Sequence, residues 1–123
     1  MKVLHVDDEP DIREVAAFAL EMDPEISVRS AASGHDALAA LRDGFAPDVV
    51  LLDVMMPELD GPGTLARLRQ LPDHSDTPVI FMTARAQAHE LDRFLQLGAI
   101  AVIIKPFDPM TLSQQLRDHM ASA

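Results

Sequence analysis

Residues 49–57 read Val49-Val50-Leu51-Leu52-Asp53-Val54-Met55-Met56-Pro57. Four aliphatic residues in a row, closed by one carboxylate, do not fit a strand with one face in water. An unbroken apolar run of strand length is what a central strand covered on both faces requires. Such strands sit in sheets flanked by helices, so short apolar runs should alternate with helical patterns on either side.

They do so along the whole chain. Lys2–Val6 is strand-like, and a helical pattern follows over 10–22 with Ile12, Val15, Ala16, Ala19 and Leu20 as its inner stripe. Asp8 or Glu9 suits its N-cap and Pro10 its first turn. After the Asp23-Pro24 break comes a short strand, Ser27–Ala31, polar at Arg29 and Ser30. A helix over 34–42 is capped by Ser33, with Asp36 three residues on, and is stopped by Gly44. Beyond the quoted stretch, Asp60-Gly61 leads into a helix over 62–71. A strand over 78–83, a helix over 87–97 stopped by Gly98, and a strand Ala101–Ile104 follow. Asp108-Pro109 opens a last helix running to 120. This fivefold β–α alternation predicts an α/β fold with a doubly wound parallel sheet. Pattern alone leaves the strand order open, but an order of 2-1-3-4-5 would set strands 1 and 3 side by side.

Composition bounds the function. The chain has 123 residues, 48% of them apolar, which suits one folded domain over 1–123. Its formal charge is −10, from ten basic and twenty acidic residues. No basic excess offsets phosphate repulsion, so direct binding of this chain to nucleic acid or acidic membranes is not expected. Cysteine is absent, which excludes disulfides, thiolate metal sites and cysteine nucleophiles and agrees with a cytoplasmic location. The longest clean apolar run, 99–104, is far too short to span a bilayer.

The strand ends carry the chemistry. Strand 1 runs into Asp7 and Asp8, strand 3 ends at Asp53, strand 4 at Thr83, and strand 5 leads into Lys105-Pro106. Open parallel sheets bind ligands at the carboxyl ends of their strands, so these residues should converge. Carboxylates suit Mg²⁺, a carboxylate can act as a nucleophile, and an ammonium neutralises phosphate charge. Each residue alone has a bland reading. An Asp pair can simply complement a helix dipole, Thr83 can be a capping hydroxyl, and Lys105 a solvated lysine. Together they leave that reading little room. The histidines at 5, 35, 74, 89 and 119 lack ligand spacing and read as surface or structural residues. The seven methionines read mostly as core filler. Gly61 and Gly98 read as punctuation, one at a turn and one at a helix end.

Val6-Asp7-Asp8-Glu9-Pro10, Leu52-Asp53-Val54-Met55-Met56-Pro57 with Asp60-Gly61, Thr83-Ala84, Gly98-Ala99 and Lys105-Pro106-Phe107 resemble the receiver domain of two-component response regulators. The likeness covers essentially the whole chain and is closest in kind to chemotaxis-type single-domain members. It implies a flavodoxin-like three-layer sandwich of strand order 2-1-3-4-5. It implies that Asp53 takes a phosphoryl group from a phosphohistidine of a histidine kinase or phosphotransfer protein. Asp8 and Asp53 would bind Mg²⁺ through side chains, Asp7 mainly through water, and Met55 through its backbone carbonyl. Thr83 and Lys105 would contact the phosphoryl oxygens after transfer, and a cis bond would precede Pro106. The resemblance further implies output through the surface of helix 4, strand 5 and helix 5 to a downstream partner or effector domain, with a phosphorylation-dependent dimer as one form. Such a chain catalyses its own phosphorylation and slow dephosphorylation, without turnover of a separate substrate. No effector domain follows the last helix within these residues, so the chain reads as a stand-alone receiver or as one cut from a longer regulator.

Two rival readings bear on the same residues. A haloacid-dehalogenase-type phosphatase also uses a strand-end Asp and Mg²⁺, but carries an acid/base Asp two positions on, where this chain has Met55. A pseudo-receiver acts as an interaction module without phosphorylation, but usually loses an acidic residue or the Lys, all of which are kept here. Departures from the family pattern are informative. The switch position, three before Lys105, is usually Tyr or Phe and here is Val102, which puts the usual Thr–aromatic coupling aside. Ile100 and Ala101 stand where polar or acidic residues are frequent. Met55 and Arg85, two beyond Asp53 and Thr83, flank the phosphoryl site and are expected to tune its lifetime. Ile100, Ala101, Val102 and Met110 would either pack under helices 4 and 5 or form an apolar docking patch.

Overall fold

The computed structural model describes residues 1–85 and 87–123. Five strands, β1 (Lys2–Val6), β2 (Ser27–Ala31), β3 (Val49–Asp53), β4 (Val79–Thr83) and β5 (Ala101–Ile104), form one sheet of order β2-β1-β3-β4-β5. All pairings are parallel, with Val3 opposite Val49, Val50 opposite Val79 and Phe81 opposite Val102. Five helices, α1 (Pro10–Glu21), α2 (Gly34–Arg42), α3 (Gly61–Leu68), α4 (Ala88–Gln96) and α5 (Leu112–Ser122), cover both faces. The flavodoxin-like three-layer fold and its strand order are thus as expected. No helix among the described residues is long and apolar enough to cross a membrane.

The quoted stretch divides its side chains by the strand period of two. Val50 and Leu52 point into a core shared with α2, α3 and α4, built on Leu38, Leu65, Leu68, Phe81 and Phe94. Val49 and Leu51 point into a second core under α1 and α5, with Ala16, Leu20, Ile103, Leu112 and Leu116. Both faces of β3 are dry, and all five of its residues are buried.

Several boundaries moved for local reasons. α3 ends at Leu68, short of the predicted 71, because Pro72 disfavours helical backbone at Leu71, which is extended (φ −76, ψ 127). A 3-10 turn, Pro72–His74, follows, and the Arg69 guanidinium donates to the carbonyls of His74 and Thr77. α5 starts at Leu112, later than the predicted 108, because Asp108 closes a turn of its own. Its side chain accepts from the Met110 amide at 2.9 Å and its carbonyl from the Thr111 amide at 3.1 Å. Val15, placed on the inner stripe, is 42% exposed and lies with Phe18 and Met22 on the outer side of α1. Ala16, Ala19 and Leu20 alone supply that helix's fully buried contact.

Candidate functional site

Four strand ends meet at one rim of the sheet. The Asp7 amide donates to the Ala31 carbonyl at 3.1 Å, which fixes the chain just past β1. Its carboxylate is wholly buried. Oδ1 accepts from the Glu9 amide at 2.9 Å, and Oδ2 accepts from Lys105 Nζ at 2.8 Å. The Asp7 carbonyl accepts from Arg13 Nη1 at 2.8 Å, tying the first turn of α1 to the rim. Asp53 ends β3, and its Oδ1 lies 3.4 Å from Lys105 Nζ. Asp8 stands further toward solvent. One carboxylate oxygen from each of Asp7, Asp8 and Asp53 lies within 4.8 Å of the others.

The electrostatics follow from this crowding. Burial, and then the Asp7 charge, push the Asp53 carboxyl up to about 6, against the opposing pull of Lys105 and a hydrogen bond from the Met55 backbone. Burial works against the Lys105 ammonium, yet its contacts with Asp7 and Asp53 outweigh that and hold it above the usual lysine range. A cluster of hard oxygen donors around a single ammonium has the donor chemistry of a Mg²⁺ site.

Thr83 is buried at the end of β4, and its Oγ1 accepts from the Arg85 amide at 3.1 Å. The Lys105 amide donates to the Thr83 carbonyl at 2.8 Å, so the hydroxyl and the ammonium are carried on paired backbone. The Lys105-Pro106 bond is cis. Gly61 explains how the β3–α3 loop closes over the site. A Cβ there would stand 2.6 Å from the Asp53 carbonyl oxygen and 2.8 Å from Val54 Cα. Close approach, and not a turn, is what this glycine serves; Gly98, at φ +112, does end a helix.

The structure brings Asp7, Asp8, Asp53, Thr83 and Lys105 together. Met55 and Arg85 sit just outside. Met55 is 64% exposed, and the Arg85 guanidinium points to Glu90 at 4.0 Å rather than to Asp53. Both border a cleft of about 570 Å³ between the β3–α3 loop and α4, with Met56, Pro57, Arg93 and Phe94. Sequence patterning gave no sign of this cleft, because its walls come from two loops and a helix. Val102 is half-buried against the core that holds Phe81 and Phe94, whose rings lie 5.1 Å apart. Ala101 is buried and Ile100 packs against the other core, so these two belong to packing and not to a patch. Ile104 and Met110 are exposed, at 41% and 74%, as are Leu95 and Leu97 at the end of α4. His5 is fully buried on β1 under α1, with neither ring nitrogen hydrogen-bonded among the described residues, and burial lowers its pKa to about 4.

Comparison with known proteins agrees with this geometry. The family model described as response regulator receiver domain matches residues 3–117. The chain is 40% identical over 116 residues to a probable transcriptional regulator, ycf27, of Guillardia theta, covering 94% of this chain and 44% of that protein. It is 36% identical over 121 residues to the response regulator Rre1 of Synechocystis, covering 98% of this chain and 52% of that protein. The chain therefore spans about half the length of the curated relatives it matches. Among solved structures, the chemotaxis protein CheY4 of Vibrio cholerae superposes with a TM-score of 0.86 at 32% identity, covering 95% of this chain and 96% of that one.

Proposed function

Because the chain belongs to the response regulator receiver family, we propose that it is a phosphorylation-dependent signalling switch in which Asp53 is the acceptor. Membership itself implies a histidine kinase upstream and an effector downstream. The observation that carries the acceptor assignment is the position of Asp53. It is buried at the end of the central strand, 3.4 Å from an ammonium and within 4.8 Å of two further carboxylates.

A phosphoryl group arriving from a phosphohistidine needs an in-line nucleophile and neutralised equatorial oxygens. Asp53 supplies the nucleophilic oxygen. Lys105 sits beside it as one fixed cation, and the Thr83 hydroxyl as a hydrogen-bond donor for the transferred group. Mg²⁺ would be held by Asp7, Asp8 and Asp53 with the Met55 backbone carbonyl, and would supply the remaining positive charge. No histidine is needed as a base, because the acceptor is already a carboxylate. When Thr83 and Lys105 turn to the new phosphoryl oxygens, the β4–α4 loop and the start of the β5–α5 segment move with them. That movement would alter the face made by α4, β5 and α5. With Val102 in place of an aromatic ring, the change acts through loop and helix position and not through ring burial.

Incubation with acetyl phosphate and Mg²⁺, followed by intact-mass measurement, tests the proposal. A stable adduct of one phosphate, absent in Asp53→Asn, is expected. Release of free phosphate without an adduct would mark a phosphatase, and no reaction at all a pseudo-receiver.

A further inference from the structure

The β2 edge of the sheet is open. β2 stands last in the strand order, with β1 on one side and no strand on the other. The Ser27 amide donates to the Met1 carbonyl at 2.9 Å, and the Ala31 carbonyl accepts from the Asp7 amide at 3.1 Å, so both residues turn toward β1. A parallel ladder alternates, which turns the N–H and C=O of Val28 and Ser30 outward. The Val28 amide follows that direction and donates to Glu21 Oε2 at 3.3 Å. Ser30 is exposed, as is Arg29 before it. Beside them lies a cleft of about 490 Å³, with Arg13 on the α1 side, Asp36 and Asp43 on the α2 side, and the small side chains of Ala31 and Ala39. An exposed edge is a template for another strand, and edges that must stay single carry a lysine, a proline or a bulge. β2 has neither lysine nor proline and pairs with β1 in unbroken register. Arg29, which could guard the edge, is drawn over the Phe45 ring, 5.2 Å from its centroid.

We propose that β2 pairs with β2 of a second copy of this chain, antiparallel about a twofold axis at Ser30, so that two sheets join into one. A twofold interface must be complementary to itself, and this edge is. Ser30 exchanges its N–H and C=O with the partner's Ser30, and each Val28 carbonyl accepts from the other copy's Ala32 amide. The charges follow the same symmetry. Glu21 stands at the start of β2, beside Val28, and Arg13 borders its end, beside Ala32. Antiparallel pairing sets the start of one strand against the end of the other, so Arg13 faces the partner's Glu21. On the opposite face of the sheet, Arg29 faces the partner's Asp36. An unrelated extended segment could make the main-chain bonds, but it would not carry these charges in this order. Two copies of formal charge −10 repel at long range, which keeps the association weak and the seam pairs necessary. Asp53 takes no part, so the dimer belongs to the unphosphorylated chain.

Sedimentation equilibrium of the whole chain tests the proposal. One strand pair buries less than a standard interface, so a dimer with Kd of about 50–500 μM is expected. Amide exchange should show Ser30 and Ala32 gaining protection as concentration rises through that range, while Arg29 and Ala31, bonded to β1, are protected throughout. Ser30→Pro removes an N–H that the chain's own ladder does not use, and it should stay folded and monomeric. Arg29→Asp and Asp36→Arg should each weaken the dimer about tenfold or more by setting like charges across the seam. The two together restore opposite charges and should restore the dimer. These reversals decide the matter even if Ser30→Pro does not fold. A chain that stays monomeric well above this range would overturn the proposal. So would a dimer in which Ser30 gains no protection, or one that the double reversal fails to restore.

Discussion

Lys105 Nζ lies 2.8 Å from Asp7 Oδ2 across 98 residues of sequence, and this ion pair ties the end of β5 to the end of β1. Asp7 is fully buried, and the Lys105 side chain is partly buried. The same ammonium reaches Asp53 at 3.4 Å, so one cation is shared by two carboxylates that repel each other. Asp53 is thus held beside a charge that a phosphorylated Asp53 would need more than the free carboxylate does.

Removing that cation should be costly. Lys105→Ala leaves buried carboxylates uncompensated and should lower stability by about 1–3 kcal/mol at pH 7.5. Urea unfolding measures it; an unchanged midpoint would contradict the shared-cation arrangement.

Asp53 makes stability depend on pH in a defined direction. Its folded pKa of about 6 lies above the ordinary carboxylate value of 3.8. The folded state therefore holds the proton more tightly, and its ionisation near Asp7, Asp8 and Lys105 costs stability as pH rises through 6. Asp53→Asn removes that cost, so the variant should be more stable than the parent by roughly 1–3 kcal/mol at pH 7.5 without Mg²⁺. The gain should vanish below pH 4. His5, lowered to about 4, acts oppositely, contributing stability above pH 6.5 that is lost on acidification. It is common to both proteins and cancels in their difference. Parallel urea titrations from pH 4 to 8 check the sign.

Mg²⁺ should stabilise the unphosphorylated chain by relieving the same repulsion. At ten times Kd the linkage is about 1.4 kcal/mol, roughly 3–8 °C in Tm for a domain of this size. Asp8→Ala should lose most of the shift, whereas Asp118→Ala, near the C-terminal end of α5 and exposed, should keep it. A melt of the parent that ignores Mg²⁺ would speak against the acidic cluster as the metal site.

The aspartyl phosphate should be long-lived. Water must attack in line past residues 55 and 85, where Met55 offers no hydrogen bond to orient it and Arg85 can swing from Glu90 to the phosphoryl oxygens. Met55→Asn combined with Arg85→Glu should shorten the adduct's half-life by about tenfold, followed by mass against time. A double variant as slow as the parent would remove these residues from the account.

The exposed side of α1 should be a protein contact. Val15, Phe18 and Met22, exposed by 42%, 74% and 52%, form a stripe on the helix that opens beside Asp8. Exposed apolar patches of this kind mark interaction surfaces. Phe18→Asp should slow phosphotransfer from a phosphohistidine protein at least tenfold while leaving labelling by acetyl phosphate unchanged. Equal slowing of both reactions would indicate damage to the fold instead.

The sequence by itself determined the order and kind of the elements. Val49–Leu52 could only be a covered strand, and the residues closing the strands, Asp7, Asp8, Asp53, Thr83 and Lys105, were legible because strand ends in such sheets face one rim. Ser33 and Gly44 bounded α2 as read, since a cap and a positive-φ glycine act through bonds within a few residues. Tertiary structure decided whatever depends on partners distant in sequence. Val15 had the right spacing for the core but fell on the outer flank, because α1 reaches the sheet only through Ala16, Ala19 and Leu20. Helix ends at 68 and 112 were set by Pro72 and the Asp108 turn competing with the helical pattern. The Asp7–Lys105 pair, the close approach of Gly61 to Asp53 and the cleft beside Arg93 had no local signature. Each arises only when strands and loops remote in sequence are brought to the same rim, where distance in space, and not spacing along the chain, sets the interaction energy.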